Sequence, residues 1–262
     1  MATKALCIGI NDYPGTDNDL SGCVNDANDW AEELARHGFA VSQLLDKDAR
    51  RAAMIKAIGD LIDGAVKGDT LVITYSGHGT WVPDSSGDEP DGRDEGLCPY
   101  DLVSKGALID DDIHELFARR AAGVRIVLIS DSCHSGSVTR GLETDLDPDL
   151  PRARFMPPQA WMKGTLPPPV LSTVAPRSGF SRAGGDLLLA GCQDHEYSWD
   201  TRFHGRPNGA FTYYALKTLR EVKPTTYQKW FDAIRTYLPS TRLPQSPQIL
   251  GTKKPRSFKV FK

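Results

Sequence analysis

The 262-residue chain is 40% hydrophobic and 25% charged with a formal net charge of −3, a composition that fits one sizeable globular domain. No basic field favours nucleic acid, and no apolar run approaches the roughly 18 residues of a membrane span. Five cysteines at irregular spacing, Cys7, Cys23, Cys98, Cys133 and Cys192, with no Cys-x-x-Cys pair, argue against a disulfide framework and a structural zinc site.

Taken in order, Ala5 to Ile10 reads as a first strand, too short to be a signal peptide, so a cytoplasmic location is expected. Asn11 to Gly15 ends it. Leu20, Cys23, Val24, Ala27, Trp30, Ala31 and Leu34 then recur at helical spacing, with Gly38 as the stop. Phe39 to Leu45 gives a second strand and Arg50 to Val66 a second helix. Gly68-Asp69 turns into a third strand beginning at Thr70. This alternation implies right-handed parallel crossovers. Residues 81–101 break the rhythm as an acidic loop, and Leu108 to Ala122 is expected to be helical, opened by Asp110, Asp111 and Asp112. A strand from Arg125 follows. Residues 138–185 form a Pro-rich insert of little periodicity, which in a compact domain is usually functional or disordered. Asp186 to Gly191 reads as a strand, Asn208 to Glu221 and Thr225 to Tyr237 as helices, and Ser257 to Phe261 as a terminal strand.

Two strands carry chemistry. The run Thr70-Leu-Val-Ile-Thr-Tyr-Ser-Gly-His-Gly ends on His78 between two glycines, and Arg125-Ile-Val-Leu-Ile-Ser-Asp-Ser-Cys ends on Cys133. If these strands are parallel neighbours, about 4.8 Å apart, a thiol and an imidazole face each other across a cleft at the sheet edge. A cysteine nucleophile needs that arrangement, because the thiolate attacks while the imidazole manages the proton. Cys133 as a small buried hydrophobe is the plainer alternative. His134 adjoins Cys133 and is a second candidate proton partner, although in an extended segment it points the other way.

Tyr75-Ser76-Gly77-His78-Gly79 followed by Asp131-Ser132-Cys133-His134-Ser135-Gly136 resembles the catalytic pair of the metacaspases, in the caspase-like clan of cysteine peptidases (peptidase C14 type). Leu20 to Ala27, Asp91 to Glu95, Ile109 to Asp112 and Gly209 to Thr212 resemble family segments in the family's order. The resemblance implies a three-layer α/β sandwich, with a mostly parallel six-stranded sheet and helices on both faces, in a minimal catalytic core. It also implies that Cys133 is the nucleophile and His78 the general base and acid, with backbone N–H groups of Gly79 and Cys133 forming the oxyanion hole. No cofactor is required for that chemistry. A monomer acting on protein or peptide substrates is expected, and an activating partner is compatible with the sequence.

Asp131 lies two residues before Cys133, on the same side of an extended strand, and the family places Asp26 next to it. Two carboxylates in one closed pocket repel unless a cation enters, so cleavage after Arg or Lys is expected, with Ser76 adding a hydroxyl. Asp26 as a helix cap or solvated carboxylate is the competing reading, and Cys23 either lines the same pocket or simply packs. Asp94, Asp110 and Asp111 match positions at which many metacaspases bind an activating calcium ion. Arg140 stands where the family has a further ligand and, as a cation, would pair with those carboxylates in the ion's place. Arg140, Arg152, Arg154, Lys163, Arg177 and Arg182 make the insert a potential substrate of the enzyme itself. Asp194 and Glu196 fall where the family builds a substrate loop. Two rivals remain, a catalytically silent caspase-like scaffold and a cysteine hydrolase acting on small molecules.

Overall fold

A computed structural model describes residues 2–84, 92–133, 150–164, 186–193 and 195–262. The chain begins with β1 (Thr3–Gly9), α1 (Cys23–Arg36), β2 (Ala40–Leu45), α2 (Arg51–Asp63) and β3 (Thr70–Ser76). Next come β4 (Gly79–Pro83), β5 (Arg93–Leu97), a one-turn α3 (Leu102–Lys105), β6 (Leu108–Ile109), α4 (Asp110–Ala118) and β7 (Arg125–Asp131). After these lie β8 (Arg152–Ala153), β9 (Leu187–Ala190), β10 (Trp199–Phe203), β11 (Arg206–Gly209), α5 (Ala210–Val222), α6 (Tyr227–Ile234), β12 (Gln248–Leu250) and a short α7 (Lys253–Arg256).

Six strands form the central sheet in the order β12-β9-β7-β3-β1-β2, all parallel except β12, which runs antiparallel to β9. Each strand alternates between two apolar cores, because successive side chains point to opposite faces. Leu6, Ile8, Leu71, Ile73, Ile126 and Leu128 pack with Met54 and Ile58 of α2 and Ile113 and Phe117 of α4 on one face. Ala5, Cys7, Val72, Val127, Ile129, Leu187 and Leu189 pack on the other with Trp30 of α1, Phe211 of α5 and Trp230 of α6. The result is the three-layer sandwich expected from the sequence.

Three expectations need correction. The acidic stretch 81–101 is largely sheet: β4 and β5 pair antiparallel and β6 joins them. Its polar strands hide the period-two signal, and the Arg93 guanidinium 4.2 Å over the Trp81 ring covers the apolar side. The expected helix from Leu108 starts only at Asp110, where the Asp112 carboxylate accepts the Ile109 N–H at 3.2 Å. No strand forms at 257–261. Val260 and Phe261 are buried by packing on Trp30 and Trp230, and the sixth strand is Gln248–Leu250 instead. A hairpin the sequence reading did not contain, β10 with β11, forms a second small sheet with β8 from the Pro-rich insert.

Candidate active site

β3 and β7 are parallel neighbours whose last paired residues are Ser76 and Asp131. His78 and Cys133 therefore each stand two residues beyond the same rung. Both are buried at the carboxyl end of the sheet, where the chain must leave the ladder and side chains are free to converge.

The imidazole is fixed from two sides. Its main-chain N–H donates to the Tyr13 hydroxyl at 2.7 Å, and the Tyr13 ring stacks obliquely at 4.8 Å. Nε2 lies 2.6 Å from the Asn18 carbonyl oxygen, which can only accept, so this contact places the proton on Nε2. Nδ1 then carries the lone pair, and among the described residues it has no hydrogen-bond partner. Burial pushes the imidazole down to about 4, with the Arg154 charge acting the same way, so the ring is neutral at physiological pH. The Cys133 thiol meets the main chain of Ser198, donating to its carbonyl at 3.4 Å and accepting from its N–H.

The pocket beside this pair is occupied by the chain itself. Arg154 is fully buried, with Nη2 2.7 Å from Asp26 Oδ2, Nη1 3.3 Å from Asp131 Oδ2, and Asp200 at 4.0 Å. Nη1 also donates to the Asp131 carbonyl at 3.1 Å. At the other end of the same residue, the Arg154 carbonyl oxygen accepts the N–H groups of Gly79 at 3.0 Å and Cys133 at 3.1 Å, while its own N–H donates to Ser198 at 2.9 Å. Arg152 and Ala153 pair antiparallel with Asp200 and Trp199. The segment thus lies as an added strand, with one guanidinium among carboxylates and one carbonyl between two N–H donors.

The carboxylates are held by the β11–α5 junction. Asp26 accepts from Asn208 at 2.9 Å and from the Gly209 N–H at 3.0 Å, and Asp131 accepts from Thr212 through its N–H at 2.9 Å and its hydroxyl at 2.8 Å. Thr212 is the third residue of α5, so Asp131 also meets the positive end of that helix. Ser198 adds a short hydroxyl bond to Asp131, and buried Gln245 orients Ser198. A Cβ on Gly209 would overlap both the Asp131 carboxylate and the Arg154 guanidinium, which accounts for glycine there. Burial pushes Asp26 up to about 7, with Asp131 adding to the rise and Arg154 opposing it. Cys23, first residue of α1, is buried nearby, and burial pushes its thiol well up. Ser76 stands beside Asp131 in register.

Other candidates sit apart. Asp94 and Asp110 are buried and Asp111 is exposed, at the edge of the β4-β5-β6 sheet, and among the described residues no group of three or more His, Cys, Asp or Glu could hold a metal ion. Arg152 and Lys163 are exposed, and Glu196 accepts main-chain N–H groups of Gln193 and Ser246. His134, Arg140, Arg177, Arg182 and Asp194 lie outside the described residues. Sequence reasoning missed Tyr13, Ser198, Asn208, Thr212 and Gln245 as parts of the site. Only the Gly209-Ala210-Phe211-Thr212 segment gave a signal, as a stretch without an assigned role.

A caspase-1 structure from Spodoptera frugiperda, 13% identical, matches with a TM-score of 0.57 over 95% of this chain and 86% of its own, a likeness of fold alone. A solved Geobacter sulfurreducens protein is 32% identical with a TM-score of 0.74, covering 100% of this chain and 99% of that one. Metacaspase-1 of Cryptococcus neoformans is 31% identical over 94% of this chain, and the match spans 61% of its length. Metacaspase-1A of Aspergillus fumigatus is 31% identical with 94% and 68% covered. No helix among the described residues is long and apolar enough to cross a membrane. The profile described as metacaspase, peptidase C14 domain matches residues 3–141, which hold both strand ends and one pocket carboxylate from each side, and the chain belongs to that family.

Proposed function

We propose that the chain is a cysteine endopeptidase that cleaves peptide bonds after Arg or Lys, with Cys133 as nucleophile and His78 as general base and acid. One observation carries the reading: Arg154 lies across the cleft as a substrate residue would, its side chain between Asp26 and Asp131 and its carbonyl oxygen on the Gly79 and Cys133 N–H groups. A carbonyl held by two donors is already where a developing oxyanion would gain from them. Sγ of Cys133 attacks the carbonyl carbon as its proton passes to Nδ1 of neutral His78, and the same proton then leaves with the amine. Water, deprotonated by His78, releases the acyl group and restores the thiol. Because a guanidinium can bridge both carboxylates at once, Arg is favoured over Lys at this position.

The same geometry makes Arg154–Phe155 the bond for self-processing, and it makes the intact chain latent while residues 152–156 fill the cleft. Arg152 and Lys163, both exposed, are poorer candidates. Asp94, Asp110 and Asp111 are the residues through which a calcium ion would act as a regulator, although among the described residues no group of three or more His, Cys, Asp or Glu could hold one. The test is hydrolysis of Arg, Lys and Asp reporter peptides by wild type and Cys133→Ala, each with calcium and with chelator, alongside intact mass. Cys133-dependent cleavage after Arg and Lys and a break between residues 154 and 155 are expected. Preference for Asp, or hydrolysis that survives Cys133→Ala, would overturn the assignment.

A further inference from the structure

The segment in the cleft is held differently on the two sides of Arg154. Upstream, Arg152 is exposed and Ala153 half-buried, and both are gripped by main-chain pairing with β10. Downstream, the side chains turn inward. Phe155 is only 9% exposed and packs in one cluster with Trp81, Cys133 and Cys192, with the Tyr197 ring tilted against it at 6.2 Å. Met156 is fully buried; its N–H donates to the Gly79 carbonyl at 2.8 Å and its carbonyl accepts the Thr80 hydroxyl at 2.7 Å. The Trp161 indole N–H in turn donates to that hydroxyl at 3.2 Å.

Main-chain pairing reads no side chain, whereas an apolar recess beside the nucleophile discriminates by what it can desolvate. An aromatic ring gains from burial there and a carboxylate loses its hydration, the Arg93 guanidinium already lying over the Trp81 ring. We propose that Trp81, Cys192 and Tyr197 form a specificity-determining subsite for the residue after the cleaved bond, selecting a large aromatic or apolar side chain. Gly79 and Thr80 clamp the main chain of the residue after that. This deepens the endopeptidase reading and rests on Arg154–Phe155 being the bond in reacting position. It extends the substrate class from Arg or Lys alone to Arg or Lys followed by a bulky apolar residue.

The test uses the full chain after self-processing has freed the cleft, and internally quenched peptides carrying the sequence of residues 150–158 with Ala at position 152, and with position 155 as Phe, Leu, Gly or Asp. Apolar pockets of this kind discriminate by about tenfold or more, so kcat/KM for the Phe peptide should exceed that for Gly by about tenfold, with Asp lower still. Tyr197→Ala should reduce the Phe-to-Gly ratio and Tyr197→Phe should preserve it, a readout that does not depend on how much of a variant folds. Equal kcat/KM for Phe, Gly and Asp, with cleavage after Arg intact, would overturn the subsite and leave the peptidase standing. No cleavage after Arg in any peptide would overturn the reading beneath it and the subsite with it.

Discussion

The carboxylates around Arg154 and the His78 imidazole are both buried at one end of the same sheet, yet their polar atoms are treated in opposite ways. In the pocket, Asp26 and Asp131 accept from Arg154, Asn208, Gly209, Thr212 and Ser198, so each buried charge is surrounded by donors. At His78, the Asn18 carbonyl and the Tyr13 hydroxyl fix the ring, and Nδ1 is left without a partner among the described residues. The pocket supplies donors to both of its carboxylates, although Arg154 Nε has no partner among the described residues, whereas a base must keep one lone pair unspent. On the proposed mechanism, the difference separates residues that hold from the residue that reacts.

The largest break in that comparison is removal of the proposed nucleophile. Cys133→Ala should lower kcat by about 10³-fold or more while the folded chain keeps Arg154 in its pocket, seen as an uncut intact mass. Next is the pocket. Asp131→Asn leaves a buried guanidinium short of a charge, a change that costs about 3–5 kcal/mol in comparable settings, so kcat/KM on Arg peptides should fall about 10²-fold or more, with circular dichroism confirming the fold. If Asp131→Asn cleaves Arg peptides at the wild-type rate, the pocket is not where the substrate cation sits.

pH sharpens the contrast further. Burial raises Asp26 to about 7, so its charge, and with it the grip on a cation, is present above that value and is lost as pH falls through it. Burial lowers His78 to about 4, so its imidazole stays neutral over the same range. The acid limb of kcat/KM should therefore lie near neutrality, falling up to about tenfold per unit below it, and Asp26→Asn should remove it. A limb near 4 that persists in Asp26→Asn would assign it to the imidazole instead. The smallest effect is expected at Tyr13→Phe, which leaves the buried His78 N–H without an acceptor at about 1–3 kcal/mol. A fall in melting temperature with a loss of about tenfold or less in kcat is the outcome that fits a positioning role.

How much of this was legible in the sequence follows from the range of each signal. The two strand ends were readable because a buried parallel strand announces itself by a continuous branched apolar run, and the residues just past it need only local order to be placed. The acidic stretch misled for the converse reason. β4 and β5 are short, polar and rich in Gly and Pro, and they are strands only because they pair with each other and with β6. The terminal segment likewise packs by Val260 and Phe261 on Trp30 without joining the sheet, a choice made by the space left beside α1 and α6.

By itself, then, the chain determined the alternation of strands and helices, the positions of His78 and Cys133, and the pairing of acidic residues with a basic insert, since all of these are written in periodicity and residue type. Only the tertiary structure decided that Arg154 of that insert reaches the carboxylates. Arg154, 128 residues from Asp26 along the chain, is chosen because β8 adds to β10 in a register that carries its carbonyl to Gly79 and Cys133 and its guanidinium to Asp26 and Asp131 at once. No local pattern encodes that register; it exists only when the β10–β11 hairpin and the two sheet strands are already in place.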